Sequence, residues 1–338
     1  VTRPLWPPAE PGERWFLRLP NWIGDAVMVL PALRSLPPGE RIAAAHPRVL
    51  PLYAATGLFR EALAARGARA PLELRAPLRR FGPDRAVVFT EAVSGAAAAR
   101  ASGARLRLGR GGPAHDAFLT HRLPRARRDR PLWREYLELA EAAGGRTGAE
   151  PDFRVPPGAE ASARAEALLV PLGGRPAVAL APGASYGPAK QWPPDRFEEL
   201  ARRLAGRGVG PVVVGGPGER EEGARLARAG ALDLTGRTDL LTAVAVLARA
   251  GAAVTNDSGA LHLARAAGTP VVAVFGSSSP VWTGPGPGEG EAVWLGLSCS
   301  PCFRRRCPLG GGEHLRCLTG IAPERVLEAV LDRLKAVP

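Results

Sequence analysis

Ala252-Ala253-Val254-Thr255-Asn256-Asp257-Ser258-Gly259-Ala260-Leu261-His262-Leu263-Ala264-Arg265-Ala266-Ala267-Gly268-Thr269-Pro270-Val271-Val272-Ala273-Val274-Phe275-Gly276 reads as strand, polar turn, helix and strand, the repeating unit of a parallel α/β sheet. The turn Asn256-Asp257-Ser258-Gly259 falls at a helix start, where unpaired N–H groups and the positive dipole end favour an anion such as a diphosphate. Gly259 lets a ligand approach the backbone, and Ser258 and His262, four residues apart, share one helix face. In outline this is a nucleotide-sugar site. A plainer reading stays open beside it, in which Asp257 or Ser258 only caps the helix.

The same alternation continues outward. Upstream come a strand at Ala177–Ala181, a helix at Asp195–Ala205, a strand at Pro211–Gly215, and helices at Glu219–Ala229 and Leu240–Ala250. A final helix, Pro323–Lys335, closes the chain. The first half opens with the strand Trp15–Leu19, the turn Pro20–Gly24 and an apolar-periodic helix from Asp25 to about Leu36. Strands are expected at Arg41–Ala45 and Arg85–Phe89, and helices at Val49–Ala65 and Pro131–Ala143. Around Gly144–Gly158 the chain turns rich in Gly, Pro and charge, and Ala159–Val170 then reads as a connecting helix. The expectation is therefore α/β with two Rossmann-like, doubly wound domains, 1–158 and 159–338, facing a central cleft at the carboxyl ends of their strands.

A chain of 338 residues, 46% hydrophobic, is long enough to bury a core in each domain. No run approaches the ~18 apolar residues of a membrane span, and Val1–Pro11 lacks a secretory h-region, so a cytoplasmic protein is expected. The net charge of +13 suggests an acidic partner: nucleic acid, an anionic membrane or a phosphorylated substrate. The densest basic run, Arg122–Arg130, holds no aromatic on which a base could stack, which argues for a solvated loop or one brushing an anionic surface.

No dinucleotide fingerprint G-x-G-x-x-G follows a strand and no P-loop occurs, which disfavours ordinary dehydrogenases and P-loop enzymes. Instead Ala181-Pro182-Gly183-Ala184-Ser185-Tyr186-Gly187-Pro188-Ala189-Lys190 follows a strand and delivers one of only two lysines to the sheet end that carries Asp257. A cation against a helix N-terminus makes sense with an anion between them, the alternative being a surface lysine. Asp25, in Asn21-Trp22-Ile23-Gly24-Asp25, also follows a strand. It reads as a helix cap or as a general base within reach of an acceptor hydroxyl. Thr235-Gly236-Arg237-Thr238 ends another strand and either touches the nucleotide or forms a simple turn. The four cysteines, Cys299, Cys302, Cys307 and Cys317, crowd near the end with His314 close by. Structural zinc, two disulfides and buried free thiols are all compatible with that spacing.

Four of these motifs, in order, resemble the lipopolysaccharide heptosyltransferase II family: Asn21-Trp22-Ile23-Gly24-Asp25-Ala26-Val27, Gly187-Pro188-Ala189-Lys190-Gln191-Trp192-Pro193, Asn256-Asp257-Ser258-Gly259 through His262, and Cys299-x-Pro301-Cys302-Phe303-x-Arg305-x-Cys307-Pro308-Leu309. The resemblance implies a GT-B glycosyltransferase that moves heptose from ADP-heptose to a lipopolysaccharide core-type acceptor with inversion, and that needs no metal for the transfer. The first domain would bind the acceptor and the second the donor. Asp25 would be the general base and Lys190 would hold donor phosphate. Asp257, Ser258, Gly259 and His262 would hold the diphosphate and sugar, with Asn256, Gly187, Thr235 and Arg237 as further candidates. The partners expected are ADP-heptose and an anionic glycolipid at the inner membrane surface, with no nucleic acid. A nucleotide-sugar 2-epimerase of the same architecture and a basic nucleic-acid-binding protein are the alternative readings.

Overall fold

The computed structural model describes residues 5–148 and 150–335. They form two compact units, Val1–Phe153 and Arg154–Pro338, dividing inside the Gly- and Pro-rich stretch. The first unit holds a six-stranded sheet of β1 (Arg14–Arg18), β2 (Glu40–Ala45), β3 (Glu61–Ala64), β4 (Arg85–Val88), β5 (Leu106–Arg110) and β6 (His121–Leu123). The second holds β7 (Ala177–Ala181), β8 (Gly210–Val213), β9 (Leu232–Asp233), β10 (Ala252–Asn256), β11 (Val271–Val274) and β12 (Gly290–Val293).

The strand orders are β3-β2-β1-β4-β5-β6 and β12-β11-β10-β7-β8-β9, and every pair is parallel. Each sheet thus starts at its centre, winds outward, then returns to wind the other way, which is the doubly wound nucleotide-binding topology. Its functional consequence is geometric. The crossovers diverge at the β1/β4 pair of one sheet and the β7/β10 pair of the other, leaving a crevice at the carboxyl ends of those strands. Asp25 follows β1, Lys190 follows β7 and Asp257 follows β10.

Strands covered on both faces read as continuous short apolar runs, and β7 (Ala-Val-Ala-Leu-Ala) is buried at every position. In the second unit Val178, Leu180, Val254, Val272 and Val274 meet Phe197, Leu200 and Leu204 of the helix Pro194–Ala205. Val326, Leu327 and Val330 of the closing helix Pro323–Lys335 join the same core. Trp192, fully buried, sits edge-on to Phe197 with ring centroids 5.0 Å apart. Burying each such side chain stabilises the unit by roughly 1.5–3 kcal/mol.

Two expected helices differ. The stretch 49–65 is not one helix: a short helix, Leu50–Ala54, is followed by β3, which pairs Ile42–Ala45 with Glu61–Ala64. Glu-Ala-Leu-Ala has helical propensity, and the open edge of β2 overrides it. The helix after β1 is broken into Ile23–Met28 and Leu30–Ser35. Pro31 cannot donate to the carbonyl four residues back, so the helix cannot run through.

Candidate functional site

In the second unit the switch point brings together two loops that sequence places 67 residues apart. Lys190 Nζ donates to Asp257 Oδ2 in a close ion pair, and Thr283 Oγ1 donates to Asp257 Oδ1 at 2.9 Å. Asp257 is only 4% exposed. Burial alone would push its carboxyl upward. The Lys190 charge and hydrogen bond outweigh that and hold it below the usual carboxylate range. Asp257 is therefore ionised, and its partnership is with the lysine loop. Ser258 occupies the N-cap position of the helix Gly259–Ala267 with no side-chain capping bond, so capping is not how this turn uses its side chains.

Asn256 does a different job. Its Oδ1 accepts the Trp192 N–H at 2.9 Å and its Nδ2 donates to the Pro182 carbonyl at 2.6 Å. It ties the end of β10 to both ends of the lysine loop, and its amide faces protein. Gly187 has a packing reason as well: at φ +150 its missing Cβ would lie 2.7 Å from the Arg305 carbonyl oxygen. Only glycine lets the two segments approach so closely.

His262 is 3% exposed, and burial, with the Arg265 charge beside it, pulls its pKa down to about 3. The ring is a neutral imidazole. Its Nδ1 has no hydrogen-bond partner, and neither have Thr255 Oγ1 at the end of β10 and Ser277 Oγ just beyond β11. Buried polar atoms are ordinarily paired, so unpaired ones on β10, on the helix that follows it and just past β11 call for an explanation in ligand binding or ordered solvent. Arg265 itself is held by Glu289 at 2.9 Å.

Thr235 and Arg237 are not brought to this cluster. They follow β9, three strands from β10, about 14 Å at normal strand spacing. The Thr235 N–H and Oγ1 both donate to Asp233 Oδ1, at 2.9 and 2.7 Å, and Asp239 caps the next helix through the Thr242 N–H at 2.7 Å. Sequence reading missed Glu219, which lies between the two groups. Its Oε2 accepts the Gly216 N–H at 2.6 Å, burial raises its pKa, and a Cβ on Gly183 would strike its Oε1. The available signal was an acid just past the second strand of a mononucleotide-binding half, where a carboxylate can meet ribose hydroxyls.

In the first unit Asp25 lies in the first turn of the helix Ile23–Met28, whose N-cap is Trp22, so Asp25 is not the cap. The Tyr136 hydroxyl donates to Asp25 Oδ1 at 2.9 Å. Tyr136 comes from the helix Leu132–Ala142 and its ring sits against Phe89, just past β4. Burial first, and the nearby Asp25 charge second, hold the Tyr136 phenol well above its ordinary pKa, so it stays a donor. Behind them Arg18 is buried, its NH1 donating to Ala44 O at 3.1 Å and Asn21 Oδ1 at 3.2 Å. Asn21 also accepts the His46 N–H at 2.9 Å. The result is a half-buried carboxylate oriented by a neutral phenol at a strand end, an arrangement suited to taking a proton.

The basic run after β6 is less bare than its composition suggests. Arg122 pairs with Asp116, Arg127 with Asp129, and Arg130 with Glu135 and Glu138. The four cysteines are in no disulfide, with Cys299 and Cys302 exposed. Among the described residues no group of three or more His, Cys, Asp or Glu side chains is placed to hold a metal ion. Burial pushes the Cys317 thiol up, and the other three thiols add to the same shift, so the four share one neighbourhood.

Two doubly wound units, one with a buried lysine–aspartate pair at its switch point and the other with a carboxylate held by a phenol at a strand end, fit the class of nucleotide-dependent α/β transferases. The chain belongs to glycosyltransferase family 9 (heptosyltransferase), whose sequence model matches residues 72–312. It is 36% identical over 161 residues to lipopolysaccharide heptosyltransferase 2 of Salmonella typhimurium, covering 46% of this chain and 45% of the relative. It is 33% identical over 170 residues to lipooligosaccharide heptosyltransferase 2 of Haemophilus influenzae, covering 48% and 49%. The chain thus spans about half the length of these curated relatives in the matched stretch. The structure of E. coli ADP-heptose lps heptosyltransferase II superposes with a TM-score of 0.81 at 27% identity, covering 95% of this chain and 98% of that one. A family 9 glycosyl transferase from Veillonella parvula shares the fold, with a TM-score of 0.85 at 19% identity over 97% and 99%. Family membership leaves the epimerase reading unfavoured.

Proposed function

We propose that this protein transfers heptose from ADP-heptose to a lipopolysaccharide core-type acceptor with inversion. The observation that carries the reading is the buried Lys190–Asp257 pair at the β7/β10 switch point, beside the start of the helix Gly259–Ala267. Such a site suits a sugar diphosphate, because the N–H groups at the start of the helix Gly259–Ala267 can meet phosphate oxygens beside the lysine. As the glycosidic bond to ADP breaks, negative charge grows on the departing diphosphate, and donors fixed in advance stabilise it without reorganising. Lys190, Ser258 and Gly259 are the residues assigned to that task. Glu219 is assigned to the ribose hydroxyls, with Thr235 and Arg237 nearby on the nucleoside side.

Asp25 is assigned as the base that removes the proton from the acceptor hydroxyl, with Tyr136 holding it in orientation. Inversion needs one direct displacement, so one base suffices and no covalent sugar intermediate is required. The transfer is proposed to need no metal, since Lys190 and the N–H donors at the start of the helix Gly259–Ala267 supply the electrostatic role. The acceptor is proposed to be an anionic glycolipid met at the inner face of the cytoplasmic membrane. No helix among the described residues is long and apolar enough to cross a membrane. The name of the E. coli structure, an ADP-heptose lps heptosyltransferase II, supports the donor and acceptor assigned.

The test is nucleotide selectivity. A ligand bound only by the native state raises its stability in proportion to RT ln(1 + [L]/Kd). ADP is expected to raise the melting temperature more than UDP or GDP at equal concentration. Equal shifts from all three would remove the ADP assignment.

A further inference from the structure

The segment Cys299–Cys307 lies far along the chain from Lys190, yet it is built onto the lysine loop. The Ala189 N–H donates to the Arg305 carbonyl at 3.2 Å, the Tyr186 hydroxyl donates to the Phe303 carbonyl at 2.7 Å, and Arg305 Nε donates to the Tyr186 carbonyl at 3.0 Å. The Phe303 N–H donates in turn to the Ser277 carbonyl at 2.6 Å, next to one of the orphan hydroxyls. Gly187 exists to let this approach happen. The result is that one aromatic ring collects two cations: Lys190 Nζ lies 4.9 Å from the Tyr186 ring centroid and the Arg305 guanidinium carbon 5.4 Å from it.

Charge balance gives this arrangement a purpose. Lys190 is already matched by the ionised, buried Asp257, so the pair as a whole presents no net positive charge to an incoming diphosphate. Arg265, on the helix that follows Asp257, is likewise matched, by Glu289. Arg304, Arg305 and Arg306, all exposed, make no ion pair with any acid among the described residues. Of the three, only Arg305 stands over Tyr186, with its Nε and backbone fixed by the lysine loop and its two terminal amino groups left to bind. A guanidinium so held matches a phosphate with two parallel N–H donors.

We propose that Arg305, carried in by the cysteine-rich loop, is a second phosphate-binding cation of the donor site and supplies the net positive charge that the Lys190–Asp257 pair lacks, with Tyr186 positioning it. The inference rests on the donor-site reading given under the proposed function. Its test is titration calorimetry of ADP and of adenosine against the native protein, Arg305→Gln, Arg304→Gln and Lys190→Ala. Arg305→Gln is expected to weaken ADP by between about ten- and a hundredfold, the loss of one charge-assisted contact, to leave adenosine unchanged, and to flatten the salt dependence of ADP binding. Arg304→Gln, one residue away but off the ring, is expected to bind ADP normally. Arg305→Lys, which keeps the charge without the fork, is expected to fall between. Unchanged ADP affinity in Arg305→Gln, with Lys190→Ala weakened, overturns this inference and leaves the donor site standing. Equal losses for ADP and adenosine also overturn it, because they mean a loosened loop and no phosphate contact. If Lys190→Ala binds ADP normally, the donor-site reading itself fails.

Discussion

Acidification offers a measurement of how deeply the donor site is buried. His262 sits in the helix Gly259–Ala267, and its pKa is pulled to about 3 by burial and then by the Arg265 charge, with Asp257 opposing. In the unfolded chain the same imidazole titrates near 6.5. Below that pH the unfolded state takes up a proton that the folded state refuses. The stability associated with a neutral His262 is therefore complete above about pH 7 and is lost progressively as the pH falls from 6.5 toward 3. At pH 5 the loss works out at about 2 kcal/mol, which for a unit of 150–250 residues lowers the melting temperature by roughly 4–8 °C. The comparison that isolates it is His262→Gln, whose amide does not titrate. Thermal melts of both proteins at pH 8 and pH 5 cancel the carboxylates common to them. The native protein is expected to lose that much more on acidification than the variant. Parallel losses in the two would show that His262 is hydrated in solution and would refute the burial argument.

Asp25→Asn keeps the shape and the hydrogen bond from Tyr136 but removes the basic lone pair. Turnover on a competent acceptor is expected to fall by ~10²–10⁴-fold with ADP affinity and melting temperature unchanged; near-normal turnover would return Asp25 to a structural role. Lys190→Ala is expected to lower the melting temperature as well as ADP affinity, because it leaves the buried Asp257 carboxylate without its cation and with the Thr283 hydroxyl still donating to it, a loss toward the lower end of the ~3–5 kcal/mol typical of such pairs. Adding Asp257→Asn should restore much of the stability, and a double variant as unstable as the single would contradict the pairing. A structural role is proposed for the cysteine loop, whether its thiols hold zinc, pair or stay free. Cys317→Ser, which places a hydroxyl against the core that Cys317 packs on, is expected to cost about 1–3 kcal/mol in a thermal melt. Elemental analysis and a thiol count on the native protein identify which state is present.

The sequence alone determined the parts of this protein whose signals are local. Short Val- and Ala-rich runs ending in polar turns placed β7, β10 and β11, and the 3.6-residue period placed Pro323–Lys335, because backbone pairing and one-sided burial leave their pattern within a few residues. The turn Asn256-Asp257-Ser258-Gly259 and the lysine loop were legible for the same reason. What lay outside its reach were choices made by partners distant in the chain. Glu61–Ala64 became a strand because β2 offered an open edge. Asn256 became a brace because Pro182 and Trp192 stand beside it, and Asp25 acquired its orienting hydroxyl from Tyr136, 111 residues away. Glu219 gained its place through the missing side chain of Gly183, and Arg305 through that of Gly187. Hydrogen bonds, ion pairs and close approaches between segments depend on positions in space, and only the folded chain fixes those positions.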